Sequence, residues 1–436
     1  MKKDNSLNFG KRGWELAIFC LISYFCTFAA VGSMNMLAVQ LNGQFGWSLT
    51  TLYSFQTIGG IICVIAYAFL GAQLNRGKVG IRTGLITCGI ISAVLIASWA
   101  ACGSVGLVAF VIIASVTYLF AQTWTRFFND NHVANWFPTK KGAVMGITTL
   151  GMPVGSSIGI QIYLRMQAAT GSYVAFYIVF AIIFAALALW GFLRFRPYPE
   201  SVGAFPDNDR TLTKEKAAAI LEDELKHLEK SPWTQKHILA TWQIWVLAIG
   251  LGFIEFYACM INQMMPNLLS LGNSEMQAAN MMMFLALGAG VFSIFWGLID
   301  QKIGPQKVIL LIFTVAIIGS ICRFTATPAG AIISIIALGS TVGGGPNMMV
   351  SLISTLWGRY NFKKVFGTII AINTIFAAFG VILHSAVAEA SGYGVAYLVQ
   401  GAGCAIGLIL IGVVIKPSFV KKCEEKWGLP KLGEEA

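Results

Sequence analysis

Charge is scarce in this chain. Asp, Glu, Lys and Arg make up 11% of its 436 residues, against about 25% in an average soluble domain. Acidic groups are scarcest, 19 against 30 basic ones. A nucleotide-cradling GxxxxGK[ST] loop is missing, which argues against ATP-driven pumping. The nine cysteines are scattered without a CxxC pair, and the four histidines join no ligand cluster. These gaps leave no expected metal site and no cofactor. No nucleophile–base constellation appears, so no catalytic residue is assigned and the chain is not expected to be an enzyme. The first apolar run is too long for a cleavable signal peptide.

What fills the chain is apolar. Hydrophobic residues reach 56% and gather into twelve runs: 14–40, 49–74, 81–102, 105–130, 142–166, 173–195, 241–269, 275–299, 305–325, 329–356, 365–388 and 394–415. A membrane-crossing helix needs about 20 such residues. The runs are too long for strands and lack the ten-residue alternation of a β-barrel. They predict an all-α membrane protein of twelve transmembrane helices.

Twenty-seven of the thirty Lys and Arg residues fall in alternate gaps, in the run ends that border those gaps, or in the two tails. Basic residues stay on the cytoplasmic side, which places the N and C termini inside. The +11 net charge then records topology rather than a nucleic-acid partner. The expected location is the cell membrane, multi-pass, with the lipid bilayer as surroundings and a monomer as the working unit.

Residues 197–240 are rich in charge and proline and divide the runs six and six. Within them Ala217, Ile220, Leu221, Leu225 and Leu228 recur at helical spacing, predicting a short amphipathic cytoplasmic helix. The expected organisation is an N-terminal six-helix bundle (1–196), this linker, and a C-terminal six-helix bundle with tail (241–436). The halves echo each other. Trp136, Lys140-Lys141, Gly146 and Gly159 are matched by Trp357, Lys363-Lys364, Gly367 and Gly380. Two six-span halves with internal repeats are a layout of secondary transporters.

Three stretches carry a family resemblance. They are Trp136-Phe137-Pro138-x-Lys140-Lys141-Gly142-x-x-x-Gly146, Arg196-Pro197-x-Pro199-Glu200-x-x-Gly203-x-x-Pro206-Asp207, and Trp357-Gly358-Arg359 followed by Phe362-Lys363-Lys364 and Gly367. The chain resembles the major facilitator superfamily, and within it the oxalate/formate-antiporter and monocarboxylate-transporter-like branch. The resemblance implies alternating access around a cavity lined by helices 1, 4, 7 and 10. The chain also departs from the family. Gln301 stands where loop 8–9 usually carries Asp, and Asn75-Arg76 replaces the usual Asp-Arg of loop 2–3. Span 8 lacks the Arg, and span 11 the Lys, with which oxalate exchangers hold two carboxylates, so oxalate is not the expected ligand.

A charge within the bilayer costs about 2.5–3.5 kcal/mol on insertion scales and is a functional candidate by default. Arg126 and Asp130 lie four apart near the inner end of span 4. On an α-helix they share a face and pair, either as a self-neutralising structural pair or as an anion anchor with its restraint. Glu255 lies near the middle of span 7, with Cys259, Asn262 and Gln263 following on one helical face. It is the candidate proton-coupling group, with Asp130 beside it in that role. The substrate-binding candidates are Arg126, Tyr24, Asn35, Gln56, Gln263, Asn347 and Asn373. Arg165 and His384 are candidates for the outer mouth, and Arg323 reads as a snorkelling end residue. Gly343-Gly344-Gly345-Pro346 predicts a break or bend in span 10. Gly151, Gly155 and Gly159 predict close helix packing at a moving interface.

The sequence therefore points to a secondary active transporter for a small or amphipathic organic anion, a monocarboxylate first, working by alternating access with a proton or a counter-substrate. An exporter of neutral or cationic amphiphiles, and a non-transporting membrane sensor, are the alternatives.

Overall fold

A computed structural model describes residues 8–75, 78–137, 141–208, 233–416 and 418–429. The amphipathic helix expected within 213–228 lies outside the described residues, as do Arg76 and Lys140. Among the described residues the architecture is helical and no strand occurs. Eleven helical stretches are long and apolar enough to cross a membrane. They are α1 (Gly10–Phe45), α2 (Leu49–Asn75), α3 (Ile81–Val105), α4 (Leu107–Trp136), α6 (Val174–Arg194), α7 (Trp242–Leu269), α8 (Glu275–Ile303), α9 (Pro305–Phe324), α10 (Pro328–Trp357), α11 (Val365–Ser391) and α12 (Tyr393–Val413). The twelfth expected span, α5 (Gly151–Thr170), follows the short helix Lys141–Thr149 after a turn at Leu150. A last helix, α13 (Phe419–Trp427), closes the described chain.

The chain packs as two compact units. One comprises Met1–Phe45 with Ile62–Leu221, the other Gly46–Ile61 with Glu222–Ala436. The division by packing falls inside α2, whose first turns belong with the second unit.

In the first unit, glycines bring α5 onto α1. A methyl at Gly155 would sit 2.3 Å from the Phe25 carbonyl oxygen, and one at Gly159 would sit 2.5 Å from Ala29 Cα. This small-residue stripe joins two helices of one unit, where a moving interface was expected. Without a hydrophobic force between helices in lipid, such close backbone approach is what holds them. Where α1 begins and α6 ends, Arg194 grips Glu15 through two bonds of 2.6 and 2.9 Å. Arg82 donates to the Phe192 carbonyl at 2.7 Å and lies 4.0 Å over its ring. His132 bonds the Arg196 carbonyl oxygen at 2.8 Å, and Trp136 Nε1 donates to the same oxygen at 2.9 Å.

In the second unit the glycine triplet neither breaks nor bends α10 out of helical form. The helical pattern runs unbroken from Pro328 to Ser391, through Pro346 and through the segment between α10 and α11. Each glycine instead seats a different neighbour. Added methyls would lie 2.0 Å from the Ala289 oxygen at Gly343, 2.2 Å from Trp296 at Gly344, and 2.3 Å from Ile254 at Gly345. The helix is enclosed on three sides at that level, so its small residues answer to packing. Where α10 ends, Trp233 is fully buried, with Trp357 and Trp427 rings at 5.9 and 5.7 Å. Its Nε1 donates to Glu424 at 3.1 Å, which fixes the apolar edge of α13 to the rest of the unit.

Candidate functional site

Span 4 is not one regular helix. It runs as α-helix over Leu107–Gln122, as π-helix over Thr123–Asn129, and as α-helix again over Asp130–Trp136. A π-turn bonds i to i+5 and recurs at functional sites. Arg126 sits inside this turn, exposed, its guanidinium 5.8 Å from the Phe28 ring and its Nη2 3.6 Å from Met152 Sδ. Phe28 in turn lies beside Tyr24, at 6.4 Å and nearly parallel. The cation is thus presented among an aromatic ring and a thioether, a surrounding suited to cation–π contact.

Asp130, at the first residue after this turn, accepts the Tyr24 hydroxyl at 2.7 Å, across the α1–α4 contact. Tyr24 is buried and Asp130 half-buried. Three of the sequence candidates, Tyr24, Arg126 and Asp130, are therefore brought into one neighbourhood of the first unit. Phe28 and Met152 join them. Sequence reasoning passed over Met152, because a methionine one turn from a glycine stripe carries no chemical signal. Asn35 is buried in α1, just past the turn at Ser33 where the helix is interrupted. Arg165 is exposed on α5.

In the second unit α7 also changes pitch. It is α-helical through Ala258, tightens to 3₁₀ over Cys259–Gln263, and resumes as α over Met264–Leu269. Pro266 has no backbone N–H to continue an α ladder, which accounts for the tightened turn before it. Glu255 is half-buried one turn ahead of the change. Beyond it the spacing of 3.6 residues that placed Cys259, Asn262 and Gln263 on one face no longer applies. Gln263 is buried and donates to the Val381 carbonyl of α11 at 2.8 Å.

Other candidates lie in helix contacts. Asn373 is fully buried, and with its amide oriented by its neighbours it donates to the carbonyls of Ala248 at 2.7 Å and Ile369 at 3.2 Å. Asn347 donates to Ser293 Oγ at 2.8 Å, and Ser351 one turn on donates to Asp300 at 2.7 Å. The two share the face of α10 that meets α8, as their spacing of four predicts. Gln56 is buried in the part of α2 that packs with the second unit. There Glu389 accepts from Ser48 Oγ at 3.1 Å, from Thr50 N at 3.1 Å and from Thr50 Oγ1 at 2.7 Å. Thr57 donates to the Ala378 carbonyl further along the same pair of helices.

One further residue differs from expectation. Arg323 is not a snorkelling end residue: it is 4% exposed and bound to Asn267. Its partner lies on another helix, so the sequence around Arg323 gave no sign of it. His384, a candidate for the outer mouth, is buried with its ring against Tyr393 and Tyr397.

Comparison with known proteins fits these helices. The family model described as Major Facilitator Superfamily matches residues 20–269 and 260–430. No curated protein sequence matches. Among solved structures, the xylose transporter XylE from E. coli in an inward open conformation superposes with a TM-score of 0.72 at 12% identity, covering 96% of this chain and 100% of that one. A bacterial homologue of the human lysosomal transporter Spinster gives 0.65 at 14% identity, covering 95% and 97%. A mutant of the nucleoside transporter NupG gives 0.67 at 13%, covering 92% and 100%. Likeness at that identity is one of fold. With the family model matched over nearly the whole length, the chain belongs to the Major Facilitator Superfamily and is a multi-pass membrane protein.

Proposed function

We propose that this member carries a small or amphipathic organic anion, a monocarboxylate first, with Arg126 as its cationic anchor. The observation that supports the reading is the setting of Arg126: an exposed guanidinium on a π-turn, beside Phe28 and Met152. One positive charge among apolar and aromatic groups suits a ligand with one negative charge and a greasy body. Tyr24 holds Asp130 close by, so the acid has a bond of its own when an anion occupies the arginine. Glu255, in the half of α7 before its pitch changes, is the group that takes up and releases the proton.

Reconstituted transport of labelled monocarboxylates tests the proposal. Arg126→Ala raises the apparent half-saturation concentration sharply, by about tenfold or more if a charge-assisted hydrogen bond is lost. An unchanged value removes Arg126 from the site. Uptake of cationic in place of anionic labelled compounds overturns the choice of anion.

A further inference from the structure

The second unit buries an arginine without an acid. Arg323, in the last turn of α9, donates from Nε and Nη2 to Asn267 Oδ1 at 3.0 and 2.7 Å. Its guanidinium carbon lies 5.9 Å from the Tyr397 ring centre. A guanidinium carries five N–H donors and a full positive charge. A single amide oxygen satisfies two of the donors and cancels none of the charge. Among the described residues, the polar contacts of Arg323 are those to Asn267. Glu389, which follows on α11, is taken by Ser48 and Thr50. Asn267 spends its own amide N–H on the Tyr397 hydroxyl at 3.2 Å and Met264 Sδ at 3.4 Å. The Tyr397 hydroxyl hydrogen is left only a long 3.9 Å contact with Met264 Sδ, a weak acceptor.

A second, independent observation meets the same tyrosine. His384 is 1% exposed and its ring lies 5.6 Å from the Tyr397 ring. Neither of its nitrogens has a hydrogen-bond partner, and neither does the buried hydroxyl of Ser385 next to it. An imidazole presents at least one N–H in every protonation state. Buried polar groups are nearly always paired, so an orphaned one asks for an unseen partner. Here a cation without an anion and an imidazole without partners lie 5.9 and 5.6 Å from one phenol ring whose hydroxyl hydrogen is underused.

We propose that Arg323, Tyr397 and His384 hold a small monovalent anion of the halide class. A negative ligand is required by the charge of Arg323, one charge by its single cation, and small size by its burial against Asn267 and Tyr397. The site is separate from the one around Arg126, which belongs to the other unit.

The test uses the purified full-length chain, with chloride exchanged for gluconate at constant ionic strength. A ligand that binds the folded state raises its stability with saturation. The thermal midpoint rises saturably with chloride, bromide substitutes for it, and Arg323→Gln loses the dependence. His384→Gln weakens the half-saturating chloride concentration by about tenfold, as for one lost bond to a charged group. Equal midpoints in chloride and gluconate overturn the proposal, as does an Arg323→Gln variant that keeps the wild-type response. If that variant does not fold, wild-type crystals grown in bromide decide. An anomalous peak beside Arg323 supports the site, and density there without anomalous signal, or no density, overturns it.

Discussion

Tyr24 donates its hydroxyl to Asp130 at 2.7 Å, so the acid of span 4 is tied to span 1. The bond crosses 106 residues of sequence and joins two helices of one unit. It also sets the acid beside the arginine without making it the arginine's only company.

Removing that hydroxyl tests the bond. Tyr24→Phe is expected to lower stability by about 1.5–3 kcal/mol, the range for a hydrogen bond to a charged group. Asp130→Asn should reduce the effect of the tyrosine substitution, since the two act through one contact. A double-mutant cycle on unfolding midpoints checks this. Strictly additive effects would show that the contact is not made in the membrane.

Glu255→Gln is expected to abolish proton-driven accumulation while leaving exchange of substrate across the membrane intact. Counterflow and pH-gradient uptake in proteoliposomes separate the two activities. Accumulation at the wild-type level would take the coupling role away from Glu255.

Glycines of equal rank in the sequence should behave unequally. Gly343→Ala and Gly155→Ala place a methyl 2.0 and 2.3 Å from a carbonyl oxygen of a neighbouring helix, so the helices must separate. Both variants should lose folded protein on size-exclusion chromatography. Gly146→Ala and Gly290→Ala meet nothing within 4 Å and gain about 0.5–1 kcal/mol of helix preference. A damaging Gly146→Ala alongside a silent Gly343→Ala would contradict the packing described.

Glu389 caps the first turn of α2 from a helix more than three hundred residues away. Replacing an N-cap costs about 0.5–2 kcal/mol, and here the cost should stay local. Glu389→Ala is expected to speed amide hydrogen exchange at Thr50–Tyr53 and to leave the middle of α2 protected. Unchanged exchange at Thr50 would mean that its N–H does not depend on the carboxylate.

Much of the fold was legible because membrane helices announce themselves by length and apolarity. Eleven of the twelve expected spans pass by composition alone. The remaining one, α5, is diluted by the very glycines, serines and glutamine that pack it on α1. What could not be read was pitch and partnership. The π-turn at Arg126 and the 3₁₀ turn after Glu255 both depart from the 3.6 residues per turn on which face arguments rest. Arg323 looked like an end anchor because Asn267 and Tyr397 reach it from two other helices. The polarity of Asn373 and Gln263 within their spans was visible, while the carbonyls they serve were not.

The π-turn over Thr123–Asn129 has one more consequence. It is an α-helix holding one surplus residue, and each residue of an α-helix advances the face by about 100°. Lined up against a relative whose fourth helix is regular, this chain needs a single-residue gap at that turn. Without the gap, every position from Asp130 to Trp136 would be matched to the wrong neighbour. At 12–14% identity no scoring of residues would reveal the slip, and only the shape of the backbone does.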